Sequence, residues 1–369
     1  MNDSSRLQPS HILPLTALAA CLALAPQTAH SQGCVAVRGA GSCAANPAGM
    51  TNLLDSKWLA SVSYRWLHSD RHFVGDVEQT QRHEIGNQVV NDSHFIDLGI
   101  SYAFTPRYSA TLALPFVRHD RTSWYEHTRT NRHGSQSGGL GDARLTFSAW
   151  ILDPAKLPEG NLQIGIGVKA PTGDYAATDR FTTVNGPVTG YVDQSIQPGD
   201  GGWGVTLELN GYRSITHGLF AYGQAFYLSN PRDVNGTSTV SGTTRGNPYE
   251  QITSVPDAYL VRGGLGYAIP RLKGVTVTLG ARLEGVPVED LIGDENGFRR
   301  PGFSVGIEPG ISWMPGQWTF AVSAPVMVYA NRQRSVADER WTNDNPSRFR
   351  HGDAAFASFL ITFSASRAF

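Results

Sequence analysis

Beyond residue 56, apolar and polar residues alternate along the chain with a period of two. The segment KWLASVSYRWL places Trp58, Val62 and Trp66 on one face, and HFIDLGISYAF does the same with Ile96 and Leu98. This period is typical of a β-strand with one apolar face. The same pattern recurs in segments that begin near residues 108, 143, 161, 202, 218, 258, 274, 302, 317 and 354. It predicts about twelve strands of roughly ten residues, the length that a tilted strand needs to cross a bilayer.

The connections between these strands alternate in length. Every second connection is a long polar stretch, whereas the others are as short as TPR at 105–107 and MPG at 314–316. An outer-membrane barrel has this arrangement, with short periplasmic turns and long extracellular loops. Lipid also requires every backbone polar group to be paired, which closes the sheet on itself. The sequence therefore predicts an all-β fold, a single transmembrane antiparallel up-and-down β-barrel of about 12 strands.

Composition fits this prediction. The 369 residues include 40 glycines and 10% aromatic residues but only 17% charged residues. A mean hydropathy of -0.24 looks soluble, as expected when each strand is apolar on one face only. The net charge of -1 gives no support to a nucleic-acid partner. A soluble β-sandwich or propeller is the alternative, because Gly and Pro turns also punctuate those folds.

The first residues resemble an export signal. ILPLTALAACLALA has the length of a secretory apolar region, and cleavage-compatible small residues follow it. We predict a signal peptide at 1–31, a periplasmic segment at 32–56 and the barrel at 57–369. The alternative is lipoprotein processing before Cys21, which LAAC resembles.

Two cysteines, Cys34 and Cys43, remain in the segment after the predicted signal peptide. In an exported chain they favour one small disulfide loop, with two free thiols as the alternative. The segment 32–56 could also fold into the lumen as a plug.

The positions that alternate with the apolar face are predicted to line the lumen. Charges on a membrane strand must face water or one another. The charged residues at these positions are Lys57, Arg65, Asp97, Arg144, Lys169, Glu208, Arg262, Arg282, Glu284 and Glu308. Two interpretations stay open: a polar pore whose slight basic excess sets a weak preference for anions or polar solutes, or a salt-bridged interior that fills the barrel.

The chain ends on an aromatic residue, Phe369, at the end of an alternating strand. Counting back in twos places Phe363 and Ile361 on the same lipid-facing side. This ending resembles the signal that bacterial barrel-assembly machinery recognises, although Arg367 departs from the usual apolar residue. We expect this segment to be the closing strand, paired with the first strand near Trp58.

Two stretches carry a resemblance to a family. GGLGDARLTFSAWIL at 138–152 and LQIGIGVKAPTGDY at 162–175 resemble the MetA-pathway of phenol degradation family of outer-membrane barrels, over about 40 residues. The resemblance implies an outer-membrane location in a Gram-negative bacterium. It also implies passage of small aromatic or other hydrophobic compounds, often under the label of transporter.

The predicted function is thus a passive channel or transporter without catalytic residues, cofactor or metal. The alternative is a structural or surface-binding barrel without transport. A remote alternative is an outer-membrane lipid hydrolase, since RHGSQSGG contains His133 and Ser135, but Phe147 occupies the place where such enzymes carry an orienting Asn. The loop motifs DVNGT and DENG lack the remaining ligands of a calcium loop.

The expected partners are outer-membrane lipid, the barrel-assembly machinery and a small-molecule solute. Arginines in the last long loop could also meet lipopolysaccharide phosphates. They are Arg332, Arg334, Arg340, Arg348 and Arg350.

Overall fold

The computed structural model describes residues 56–128, 130–157, 159–239 and 246–369. The predicted signal peptide, the lipoprotein alternative at Cys21 and the predicted disulfide between Cys34 and Cys43 lie outside the described residues.

The described residues are almost entirely strands and loops, as the alternation predicted. The strands are β1 (Trp58–Val74), β2 (Val77–Glu78), β3 (Val90–Ala103), β4 (Tyr108–Ser123), β5 (His133–Leu140), β6 (Ala143–Trp150), β7 (Gly160–Ala170), β8 (Thr178–Thr183), β9 (Gly186–Tyr191), β10 (Gly204–Thr216), β11 (Leu219–Ser229), β12 (Val234–Ser238), β13 (Ile252–Ser254), β14 (Ala258–Ala268), β15 (Val275–Val286), β16 (Gly302–Trp313), β17 (Trp318–Ser323), β18 (Val326–Arg332) and β19 (Ala354–Ala368). Two short α-helices, α1 (Gln81–Ile85) and α2 (Val336–Asp344), and two 3-10 turns at Gln194–Ile196 and Pro248–Glu250 lie in the long loops. None of the helices in these ranges is both long and apolar enough to cross a membrane.

Twelve antiparallel strand positions close into a barrel. Their order is β1, β3, β4, β5 with β6, β7, β10, β11, β14, β15, β16, β17 with β18, and β19. The barrel closes where β19 pairs with β1, from Leu59 opposite Ala368 to Phe73 opposite Ala354. Trp58 and Phe369 exchange two backbone hydrogen bonds, of 3.0 and 2.9 Å. Closure leaves no unpaired sheet edge among these strands, which is the condition for a sheet in lipid.

Two of the twelve positions are interrupted strands. β5 and β6 both pair with β4 and are separated at Gly141 and Asp142, beside Pro115 of β4. β17 and β18 both pair with β16 and are separated at Ala324 and Pro325. Proline has no N–H to donate to a ladder, so both breaks occur where the backbone cannot pair fully.

Two local predictions from the pattern are wrong. His133 and Ser135 belong to strand β5 and not to a Gly-rich loop. Tyr329 was expected on the inner face but is 41% exposed, together with the adjacent Val328. A bulge explains this, because Tyr329 pairs with Val305 while Met327 pairs with the next residue of β16.

The outer surface of the barrel is an apolar belt. Its strand positions expose large aliphatic side chains such as Ile166 and Leu279, while Trp313 and Trp318 are exposed at the end with the short turns. Aromatic residues at the borders of an apolar belt are typical of barrels that sit in a bilayer.

We expect deletion of Phe369 to lower barrel insertion without abolishing export. The deletion removes both backbone hydrogen bonds to Trp58 and an aromatic side chain that is 54% exposed. The fraction of heat-modifiable, folded barrel in outer-membrane preparations measures insertion, and the total exported protein measures secretion. A Phe369→Leu control keeps the backbone pairing and separates it from the aromatic side chain. Unchanged insertion after the deletion would rule out an assembly role for the terminal residue.

Candidate functional site

The charged residues predicted to line the lumen are brought together in pairs across neighbouring strands. On β1 and β3, Arg65 Nε donates to Asp97 Oδ2 at 3.1 Å. Lys169 Nζ on β7 donates to Asp200 Oδ1 at 2.5 Å, and Asp200 belongs to the long loop that follows. These side chains are enclosed by the barrel, as the alternation requires if the opposite face is apolar.

The second group of charges is a quartet on three adjacent strands. Arg262 of β14 donates from Nη1 to Oε1 of Glu308 on β16 at 3.2 Å. Arg282 of β15 lies between them, with Nη1 3.9 Å from the same Glu308 oxygen and Nη2 2.8 Å from Oε2 of Glu284. One carboxylate thus serves two arginines inside the barrel.

The remaining predicted position, Lys57, is exposed and precedes the first strand. The structure also adds Asp142 and Asp200 to the interior pairs, which the sequence analysis had assigned to turn and loop chemistry. These interior pairs therefore contain five cations and six carboxylates, so the expected basic excess is absent from them.

The interior is not purely polar. A cluster of Leu67, Phe95, Val117 and Leu360 is buried on the inner side of β1, β3, β4 and β19. A second cluster is formed by Phe226, Leu228, Ala258, Leu260 and Val286. These strands are apolar on both faces toward the long-loop end, where the sequence pattern loses its alternation.

A segment of the long third loop crosses the mouth of the barrel. We call residues 192–202 the crossing segment. Ser195 and Ile196 within it are buried. On one side Arg121 of β4 donates to Ser195 Oγ at 3.2 Å, and Ser137 of β5 donates to the carbonyl of Ile196. On the other side Gln194 Nε2 donates to the carbonyl of Ser254 at 2.8 Å. Because β4 and β5 lie across the barrel from Ser254, which directly precedes β14, the crossing segment spans the opening.

Asp193 is the main charged anchor of the crossing segment. Arg300, just before β16, donates from Nη1 to its Oδ1 at 2.8 Å, and Arg121 Nη2 lies 3.5 Å from its Oδ2. Burial disfavours the charged form, but Arg121 and Arg300 outweigh it and hold the pKa of Asp193 well below its usual value.

A pocket lies beneath the crossing segment, inside the barrel. We call it the inner pocket; its lining comes from β1, β3, β4, β6, β7, β10 and β11, with Pro198 and Asp200 of the crossing segment as its roof. Its unfilled space is about 520 Å³, counting its opening to solvent. The inner pocket is lined by the rings of Phe95 and Phe226 and by the guanidinium groups of Arg65 and Arg144.

The arginines of the last long loop mostly hold that loop together. Arg332 is buried with Nη2 3.5 Å from Oδ2 of Asp338, and Arg350 donates to Glu250 at 2.6 Å. Arg334 donates to the carbonyl of Asp338, and Arg340 donates to an amide oxygen in the preceding loop. Arg348 is exposed, so lipopolysaccharide contact through this loop stays a prediction that rests mainly on Arg348.

Asp338 is the centre of this loop, and the sequence carried a signal for it. Ser335 and Asp338 form a capping box at the start of α2, with Ser335 Oγ accepting from the Asp338 N–H at 3.1 Å. The spacing Ser-x-x-Asp before a helix could have been read from SVAD. Burial opposes ionisation, but Arg332 and hydrogen bonds from Ser335 and Gly352 lower the pKa of Asp338.

We expect Asp338→Asn to loosen residues 333–353 at neutral pH. Removing one partner of a buried ion pair costs about 3 kcal/mol or more, because Arg332 is left uncompensated. Since the folded-state pKa is depressed, the stabilisation is present above the unfolded value of about 3.9 and is lost as the pH falls below it. Hydrogen–deuterium exchange of this loop in the folded barrel measures both effects.

The matched control is Glu339→Gln, the exposed neighbour on the same helix. We expect its exchange to match that of the wild type. Equal protection of the loop in both variants would show that Asp338 does not hold it.

The residues considered for catalysis and metal binding do not form such sites. Ser135 is buried inside the barrel wall, so a lipid substrate on the outer surface cannot reach its hydroxyl. Asp233 of DVNGT accepts from the N–H and side-chain amide of Asn296 in DENG, both at 2.8 Å, which ties two loops together. Within residues 56–369, as far as the structure describes them, no group of three or more His, Cys, Asp or Glu side chains is arranged to hold a metal ion.

The comparisons with known proteins agree with this architecture. An outer membrane channel from Pseudomonas putida F1 is similar with a TM-score of 0.54 and 13% sequence identity, over 85% of this chain and 96% of the channel. The β-domain of the Bordetella autotransporter BrkA matches with a TM-score of 0.44 and 13% identity, over 85% of this chain and 100% of that domain. No protein-family model matches the chain, and no curated protein matches it. The fold is that of an outer-membrane β-barrel.

Proposed function

We propose that the protein is a passive channel or transporter in the outer membrane of a Gram-negative bacterium, for small aromatic or other hydrophobic compounds. The observation that carries the proposal is the crossing segment, because a loop anchored by side-chain contacts over a lined pocket can act as a gate. The similar fold of an outer membrane channel supports it at the level of architecture. The resemblance of 138–152 and 162–175 to the MetA-pathway family supports the solute class and stays a proposal.

A structural or surface-binding barrel is the second candidate. The paired charges and apolar clusters fill much of the interior, which favours a barrel that does not conduct. The two candidates differ in whether the crossing segment opens.

Single-channel recording in planar bilayers tests the proposal. We expect small, brief conductance steps from the purified full-length protein, because the closed arrangement is held by charged anchors. The wild-type barrel refolded with its loops cleaved by protease, still heat-modifiable on a gel, is the positive control for an unobstructed barrel. Wild-type protein that stays silent while the cleaved barrel conducts would favour the structural role.

A further inference from the structure

The inner pocket combines two aromatic walls with hydrogen-bond donors that lack acceptors. We propose that it binds an uncharged aromatic compound that carries an oxygen acceptor, such as an aryl ketone. This inference rests on the proposed transport function and names the chemical class of its solute. The argument comes from three properties of the lining: its rings, its unpartnered donors and its charge balance.

The apolar part of the inner pocket suits a flat ring. Phe95 and Phe226 are almost fully buried there, and Val117 and Leu228 lie beside them. Aromatic rings pack on other rings in offset or edge-on arrangements with a gain beyond the buried area alone. A straight aliphatic chain would fill this space less completely.

The polar part of the inner pocket presents donors. Arg144 Nε has no hydrogen-bond partner, and its nearest carboxylate oxygen, Glu208 Oε1, is 3.7 Å away and already accepts from Thr146. Arg65 Nη2 and Thr206 Oγ1 are also buried without partners. Both arginine side chains are more than nine-tenths buried. A guanidinium can only donate, so the missing partner must be an acceptor oxygen.

The donors and the rings are adjacent. The guanidinium carbon of Arg144 lies 5.1 Å from the centre of the Phe226 ring, and that of Arg65 lies 4.5 Å from the centre of the Phe95 ring. One small molecule can therefore place a ring against a phenylalanine and an oxygen against an arginine at the same time.

The charge balance argues for an uncharged head group. Asp97 and Glu208 stand directly behind the two arginines, and Lys169 is matched by Asp142 and Asp200. An added carboxylate would lie close to these anions in a site that water screens poorly. A carbonyl oxygen satisfies the donors without adding charge.

Isothermal titration of the full-length protein in nanodiscs tests the proposal, with protein-free nanodiscs subtracted. The probes are acetophenone, toluene as the ring without an acceptor, and benzoate as the anionic acceptor. We expect acetophenone to bind about tenfold more tightly than toluene, as a hydrogen bond from a charged donor predicts, and more tightly than benzoate. Tighter binding of benzoate would overturn the uncharged head group, and no saturable heat from any probe would mean that the inner pocket holds water only.

The variants separate recognition from folding. Arg144→Met should remove the advantage of acetophenone over toluene, and Arg144→Lys should restore part of it. The matched control Arg282→Met changes another interior arginine outside the inner pocket and should keep the full advantage. If Arg144→Met does not fold, Thr206→Val provides the same test at a hydroxyl of the same lining, and an undiminished advantage in whichever variant folds would overturn the proposal.

Conductance recorded from the same preparations distinguishes the two proposals. A barrel that conducts without preferring acetophenone would refute the site and leave the channel function standing. Saturable, Arg144-dependent binding by a barrel that never conducts would support the site and refute transport.

Discussion

Asp193→Ala should raise the open probability of the reconstituted channel by orders of magnitude. In the closed arrangement Asp193 is buried between Arg300 and Arg121, and it fixes the crossing segment to two sides of the mouth. Removing one partner from such a buried cluster costs about 3–5 kcal/mol, mainly because the two arginines are left facing each other. If that cost falls only on the closed state, the closed–open equilibrium shifts by roughly two to four orders of magnitude.

The measurement is single-channel recording of wild-type and variant protein at equal barrel content. Asp174→Ala is the matched control, since Asp174 lies in the same loop but its side chain only caps a local turn at Ala176. Arg300→Met removes the same anchor from the opposite partner and should change gating in the same direction. A variant that stays as closed as the wild type would show that the crossing segment is held by other contacts, or that it is a fixed part of the interior.

The strands could be predicted because a period of two has one physical cause. Each strand buries one face against lipid or protein and turns the other inward, so residues 57–67 or 94–104 reveal their structure locally. The pattern fails at Tyr329 because one extra residue in a bulge reverses the faces beyond it. The break at Pro325, four residues earlier, was the available warning.

The candidate site could be predicted only in part. Charged positions on the inner face follow from alternation, but their partners depend on the register between strands and on loops that fold inward. The crossing segment has the composition VDQSIQPGDGG, which resembles a solvated loop. Its burial depends on Arg121 and Arg300, which are far from it in sequence, and no local pattern encodes such contacts.

The inner quartet has the largest expected effect on stability. Arg262 and Arg282 are directly opposite each other on β14 and β15, and like charges at such positions repel. Glu308 approaches both from β16 and is almost fully buried. The two arginines are therefore compatible with the barrel only because that carboxylate lies between them.

Glu308→Gln should destabilise the barrel by about 3–5 kcal/mol, since it leaves two buried arginines with one remaining carboxylate, Glu284. Thermal unfolding of the refolded barrel in micelles, followed by heat-modifiability on gels, measures the loss. Glu208→Gln is the matched control and should cost less, because its partner Arg144 is 3.7 Å away and does not form a hydrogen bond with it.

Adding Arg262→Met to Glu308→Gln should recover most of the lost stability. The double variant removes the opposed cation and leaves Arg282 with Glu284, so no buried charge is uncompensated. A double variant no more stable than Glu308→Gln would mean that Glu308 stabilises the barrel through contacts other than these arginines. Recovery would identify mutual neutralisation as the reason why a strand interior tolerates two arginines side by side.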